Sequence, residues 1–187
     1  MGWRKQWWLI GRILRRRRFI WRRRRERKLV MAKHPAWTRR FLSESDFDAV
    51  TRAIAAAEAR TSAEIRVHLE RRVPRRLWVG RAPDILTRAR HVFRRLGMHK
   101  TVERHGVLIY VAVADRRFAV VGDEGIHERV GDPHWHLVRD LMADRLRANS
   151  PREAIERGVE ALGRALAEHY PRRPDDQNEL SDEVSVS

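Results

Sequence analysis

The segment GVLIYVAV, residues 106–113, is continuously apolar and rich in β-branched side chains. A run of this length and composition predicts a central β-strand whose two faces are both covered by other elements. The segment RFAVVG follows after a turn at Asp115 and Arg116, so it predicts the antiparallel hairpin partner of that strand. The chain must therefore supply helices for both faces of a sheet, which limits the fold to a layered α/β architecture.

The residues before this strand predict one helix and one further strand. LSESDFDAVTRAIAAAEA has apolar residues at steps of three and four, with Ser43 and Asp46 placed as a capping pair, and predicts an amphipathic helix. EIRVHLE alternates apolar and polar residues and predicts a half-buried strand with His68 on its solvated face.

Three further helices are predicted from start and end signals. Those signals are Pro83, Asp84 and Gly97 for the second helix, Asp132 and Pro133 for the third, and Ser150, Pro151 and Glu153, a capping box, for the fourth. The order is α-β-α-β-β-α-α, and a strand-helix-strand unit favours a parallel crossover. We therefore predict a three-layer α/β/α sandwich around a small mixed β-sheet.

Charge divides the chain into three parts. Of the 41 Lys and Arg residues, 13 lie in the first 30 positions beside one acid, so most of the net charge of +16 belongs to the start of the chain. We predict a basic Arg- and Trp-rich tail at 1–40, an α/β/α domain at 41–171 and an acidic C-terminal segment at 172–187. The C-terminal segment is polar enough to be mobile or to lie along the surface.

The basic tail is open to several interpretations. Its Arg clusters and tryptophans could bind nucleic-acid phosphates or lie on an anionic membrane. Alternatively it is helical or disordered, or translation starts at Met31, after which the composition becomes ordinary. The tail has neither an apolar run long enough to span a bilayer nor a convincing signal peptide. These patterns favour a cytoplasmic protein, with association at a membrane surface as the alternative.

Several motifs and residue types that common enzyme classes require are absent from the sequence. The chain lacks a P-loop, a dinucleotide-binding glycine pattern and a serine-hydrolase elbow. It also has no cysteine, which excludes disulfides, thiolate catalysis and cysteine zinc sites.

Acidic residues at the ends of the predicted strands are the best candidates for a site. Asp123 and Glu124 follow the second hairpin strand, and Glu64 begins a strand that should be parallel to the first hairpin strand. Those three residues should lie at one end of the sheet, whereas Asp115 lies at the other. Their oxygens suit Ca²⁺ or Mg²⁺. The alternative is that Asp123 and Glu124 form an exposed turn while Glu64 pairs with an arginine.

Three long segments resemble bacterial proteins of the TPM-domain family. They are LSESDFDAVTRAIAAAEARTSAEIRVHLE, VFRRLGMHKTVERHGVLIYVAVADRRFAVVGDEGIHERVGDPHW and HYPRRPDDQNELSDEVSVS. The resemblance implies an α/β/α fold, a phosphatase-like activity in some members, metal binding in others, an interaction role in still others, and LemA-family membrane proteins as partners. Many relatives are exported or membrane-anchored, and the first 30 residues match nothing in the family.

Three functions follow as hypotheses. The first is a metal-assisted phosphomonoester hydrolase in which Glu64, Asp123 and Glu124 hold Ca²⁺ or Mg²⁺. The second is a non-catalytic interaction module at an envelope-associated complex. The third is a nucleic-acid or anionic-membrane binder that uses residues 1–30.

Overall fold

The computed structural model describes residues 9–12, 33–74, 84–101 and 103–187, apart from the side chains of 9–12 and Glu124. Five strands form one mixed sheet in the order β1-β4-β3-β2-β5. The elements are β1 Leu9–Arg12, α1 Glu44–Glu58, β2 Glu64–Glu70, α2 Ile85–Arg95, β3 Gly106–Ala112, β4 Arg117–Gly122, α3 Glu124–Val130, α4 Asp132–Arg147, α5 Pro151–His169 and β5 Ser185–Val186. Strand β3 is parallel to β2 and antiparallel to β4, as the sequence predicted.

The two faces of β3 divide the core into two layers. Val107, Ile109 and Val111 pack with α1, α3, α4 and α5 on one face. Leu108 and Tyr110 face α2 on the other. Both faces of this strand are fully buried, so the predicted three-layer α/β/α sandwich is confirmed.

Among the helix signals that fall on described residues, one is wrong, and Pro83 lies outside the described residues. Ser43 and Asp46 form a capping box at the start of α1, and the Asp84 side chain accepts hydrogen bonds from the backbone at the start of α2. Gly97 has φ of +75° after the end of α2, a backbone conformation that favours glycine. The capping box predicted at Ser150 is wrong, because that side chain makes no capping hydrogen bond.

Three elements lie outside the predicted order. Within the basic tail, residues 9–12 form β1 against β4, and the rest of positions 1–32 lies outside the described residues. A short helix, α3, begins at Glu124 directly after β4. The C-terminal segment adds β5 as a parallel strand beside β2.

Strand β2 is not half-buried as predicted. Its polar residues Glu64, His68 and Glu70 are all buried, and Arg66 is half-buried. The prediction failed because α2 and the C-terminal segment cover the face that the polar alternation assigned to solvent. No helix within the described residues is both long and apolar enough to cross a membrane.

Candidate functional site

A small pocket lies where the end of α1, the start of β2 and the C-terminal segment meet. It encloses about 180 Å³, its opening to solvent included. We call it the carboxylate pocket, and its lining residues are Glu58, Thr61, Ala63, Glu64, Arg172, Asp176, Gln177 and Asn178.

The turn between α1 and β2 fixes this pocket beside the end of α5. The Thr61 hydroxyl donates a hydrogen bond to the Tyr170 carbonyl at 2.6 Å, and the Ser62 backbone N–H donates to the same oxygen at 3.0 Å. The chain then leaves α5 through Pro171, which forms a β-bridge with Thr61. These contacts bring Arg172 and the residues after it across the two glutamates.

Glu58 is a buried carboxyl group with one satisfied oxygen. Its Oε1 accepts a hydrogen bond from the Ile65 backbone N–H at 2.6 Å, and no group in the described part of the chain donates to the buried Oε2. The protonated carboxyl group itself donates a hydrogen bond to Asp182. Burial raises the pKa of Glu58 to about 9, and the nearby charges of Glu64 and Asp182 add to this effect. Glu58 therefore carries a proton at neutral pH.

Glu64 is held in a similar way by the C-terminal segment. Its Oε1 accepts a hydrogen bond from the Glu179 backbone N–H at 3.0 Å, and its Oε2 is buried without a partner among the described residues. Burial raises the pKa of Glu64, and the charges of Glu179 and Asp182 raise it further. The pocket thus contains two carboxyl groups whose pKa values are both raised above the ordinary value.

Two arginines accompany these acids. Arg172 spans the pocket, with Nη1 donating to the Glu58 carbonyl at 3.1 Å and Nη2 donating to the Asp176 carbonyl at 3.3 Å. Arg66 is half-buried on β2, and burial lowers its pKa although the negative charges of Glu58 and Glu64 oppose that shift. The pocket therefore combines two buried carboxyl groups with an arginine at its rim.

The three residues predicted to hold a cation lie at one end of the sheet. Glu64 pairs in register with Gly106, and the Asp123 backbone N–H donates to the Gly106 carbonyl at 2.9 Å. Asp123 is thus two strands away from Glu64, or about 10 Å at the usual strand spacing. Asp123 lies beside His105, whereas the Glu64 carboxyl group is turned to the C-terminal segment.

The side chain of Glu124 lies outside the described residues. Across the part of the chain that the structure describes, no three His, Asp or Glu side chains are already arranged to hold a metal ion. Cation binding by Glu64, Asp123 and Glu124 together stays a prediction.

A second buried polar cluster lies on the α2 face of the sheet. Arg88 donates two hydrogen bonds to Glu70, from Nε at 2.9 Å and from Nη2 at 2.6 Å, and the Tyr110 hydroxyl donates a third at 2.5 Å. Burial alone would raise the pKa of Glu70, but these donors outweigh it and leave the pKa lowered. The buried charge of Glu70 is paired with that of Arg88 and its oxygens accept these three hydrogen bonds, which favours a structural role for the pair.

His68 adjoins this cluster and contacts the C-terminal segment. Its Nδ1 lies 2.8 Å from the Ser185 hydroxyl and its Nε2 lies 3.0 Å from the Ser187 hydroxyl. Burial, together with the positive charge of Arg95, lowers the pKa of His68 to about 4. The imidazole is therefore neutral at physiological pH and bonds both hydroxyls.

Two of these features were missed in the sequence although signals for them exist. Glu58 continues the apolar stripe of α1 four residues after Ile54, so a buried acid was readable from spacing. Val184 and Val186 alternate with serines, which is the pattern of a short strand.

The fold and the pocket define a class of protein, a three-layer α/β/α domain with a mixed sheet and buried acids at one sheet end. A model of the TPM domain matches residues 38–165, so the chain belongs to the TPM-domain family. Among solved structures, the chain is similar to the NMR structure of the BA42 protein from the psychrophilic bacterium Bizionia argentinensis. The two are 37% identical with a TM-score of 0.70, over 79% of this chain and 96% of that one. A search of the curated proteins found no match.

Proposed function

We propose that this TPM domain binds a divalent cation in the carboxylate pocket and acts there as a phosphatase-like hydrolase. Glu58 and Glu64 supply the carboxylate ligands, and water or substrate phosphate completes the coordination shell. The observation that carries the proposal is the pair of buried oxygens, Glu58 Oε2 and Glu64 Oε2, which receive no hydrogen bond from the described residues.

The donor set suits a hard cation. A buried carboxylate oxygen without a partner is unfavourable, and a cation between two of them relieves both the missing interactions and the repulsion of like charges. Mg²⁺ in proteins commonly takes only one or two carboxylates and completes its shell with water and substrate phosphate. The cation has to displace the proton of Glu58, so its affinity should increase with pH and its binding should release protons.

The rim of the pocket suits a phosphate group. Arg172 uses two of its five N–H donors on backbone carbonyls, which leaves donors for a phosphoryl oxygen. A bound divalent cation neutralises charge on a phosphoryl group and favours attack by water. Arg172 would bind and orient the substrate, and the buried glutamates would hold the cation beside it.

Isothermal titration with Mg²⁺ and Ca²⁺, and turnover of p-nitrophenyl phosphate with and without chelator, test the proposal on the full chain. Glu64→Gln should abolish cation binding and turnover, because it removes one ligand charge at nearly constant shape. Glu160→Gln, at an exposed position on α5, is the matched control and should retain both. Equal binding and turnover in both variants would exclude the pocket as the site, and chelator-resistant turnover would exclude cation assistance.

The second candidate function, a non-catalytic interaction module, has its own supporting observation. The outer edge of β2 holds an extended segment as an added strand, a mode by which many domains bind peptides.

Partnership with a LemA-family membrane protein, and binding of nucleic acid or anionic membrane through residues 1–30, stay proposals. Co-purification and salt-dependent binding of the full chain are their tests.

A further inference from the structure

Residues 184–187 occupy the outer edge of β2 as a parallel strand. Ser185 pairs with His68 and Val186 with Leu69. The Ser187 backbone N–H donates to the Leu69 carbonyl at 3.0 Å, and the Arg71 N–H donates to the Ser187 carbonyl at 3.3 Å. Without this strand, the N–H and C=O groups along that edge of β2 would be unpaired.

The side chains of this strand are recognised on both of its faces. Val184 is buried in the main core, and Val186 packs against the same core. On the opposite face His68 bonds the hydroxyls of Ser185 and Ser187, and the Ser185 hydroxyl also donates to the Val67 carbonyl at 3.2 Å. The edge therefore selects an extended peptide in which apolar residues alternate with serines.

The connection that carries this strand back from α5 is mostly exposed. Residues 171–175 and 177–179 are exposed, as are Ser181 and Glu183. The strand is thus bound by backbone pairing and side-chain contacts at its end, while the connection that delivers it lies largely at the surface.

We propose that the outer edge of β2 is a binding site for a Val-Ser-Val-Ser strand, and that its occupant exchanges with residues 184–187 of a second copy of the chain. An identical strand makes every contact at the edge in trans that the resident strand makes in cis. Because the connection is mostly exposed, it can cross to a neighbour with little loss of buried surface. Reciprocal exchange gives a closed, two-fold symmetric dimer.

The absence of native cysteine allows a direct test by crosslinking. Arg71 and Ser187 are both exposed and adjacent across the edge, so full-length Arg71→Cys and Ser187→Cys chains are mixed at high concentration and treated with a short bis-maleimide. Exchange predicts more covalent dimer in this mixture than in either variant alone, with an excess that grows with concentration. Glu160→Cys mixed with Ser187→Cys is the control for random collision and should show no such excess.

Two further measurements close the test. A chain that carries both Arg71→Cys and Ser187→Cys should crosslink internally when dilute, and its failure to do so would overturn the docking edge itself. Internal crosslinking without any excess in the mixture would overturn exchange. The hexapeptide DEVSVS should abolish the excess at high concentration, whereas DEVAVA should not. Equal inhibition by both peptides would overturn recognition of the serines.

Discussion

Glu58 should make the stability of the fold depend on pH. Burial is the main reason that its pKa rises from 4.5 to about 9 in the folded chain. A carboxyl group whose pKa is higher in the folded than in the unfolded chain keeps its proton longer when folded, so it stabilises the fold at low pH. That contribution is complete below pH 4.5 and is lost progressively as the pH rises towards 9.

The size of the stability change follows from the width of the pH range between these two pKa values. Each pH unit within it lowers the free energy of unfolding by about 1.4 kcal/mol, so about 5 kcal/mol is lost between pH 4.5 and 8. Glu58→Gln removes the titration and keeps an acceptor for the Ile65 N–H. Its amide replaces the carboxyl oxygen Oε2, at a cost of about 1–3 kcal/mol that does not vary with pH. We expect the variant to be less stable than wild type near pH 5 and about 2–4 kcal/mol more stable at pH 8.

Urea unfolding at a series of pH values measures this difference directly. The free-energy difference between Glu58→Gln and wild type should rise by about 1.4 kcal/mol per pH unit, with a change of sign near pH 6. Glu160→Gln, which loses an exposed ion pair with Arg164, should show no comparable slope. A flat difference for Glu58→Gln over this range would refute the conclusion that burial keeps Glu58 protonated.

Two further predictions concern packing and buried charge. Arg88→Met leaves the Glu70 carboxylate buried without its cation and should lower the free energy of unfolding by about 3–5 kcal/mol. Adding Glu70→Gln to this variant should restore much of the lost stability. A double variant that melts no higher than Arg88→Met in thermal unfolding would contradict this account. Gly163→Ala places a Cβ 2.7 Å from that of Ala57, which should force α1 and α5 apart and destabilise by about 1–3 kcal/mol. Gly125→Ala meets nothing within 4 Å and should be neutral or slightly stabilising, so equal melting temperatures for the two alanine variants would argue against close packing at Gly163.

The layered fold was predictable because its central strand has a strong local signal. GVLIYVAV is apolar along its whole length, and both of its faces are buried. Strand β2 was harder, because an alternating pattern predicts one solvated face. Whether His68 meets solvent depends on Ser185 and Ser187, which lie more than a hundred positions further along the chain. Period and propensity carry no information about contacts of that sequence separation.

The site was predictable only in part for the same reason. Topology correctly placed Glu64 and Asp123 at one end of the sheet, since parallel strands begin at the same edge. It could not indicate which way the Glu64 carboxyl group turns, because the Glu179 N–H that donates a hydrogen bond to it belongs to the C-terminal segment. The burial of Glu58 was not predicted, because a glutamate at the end of a helix is ordinarily solvated.

The position of β5 in the chain also affects the order in which the molecule can be completed during synthesis. Strands β2, β3 and β4 are translated well before residues 184–187, so the outer edge of β2 stays open until residues 184–187 are made. An open strand edge is a template for pairing with other chains, and a nascent or shortened chain presents it while the core beside it is already assembled. Chains that end before Val184 should therefore self-associate more readily than chains that include residues 184–187.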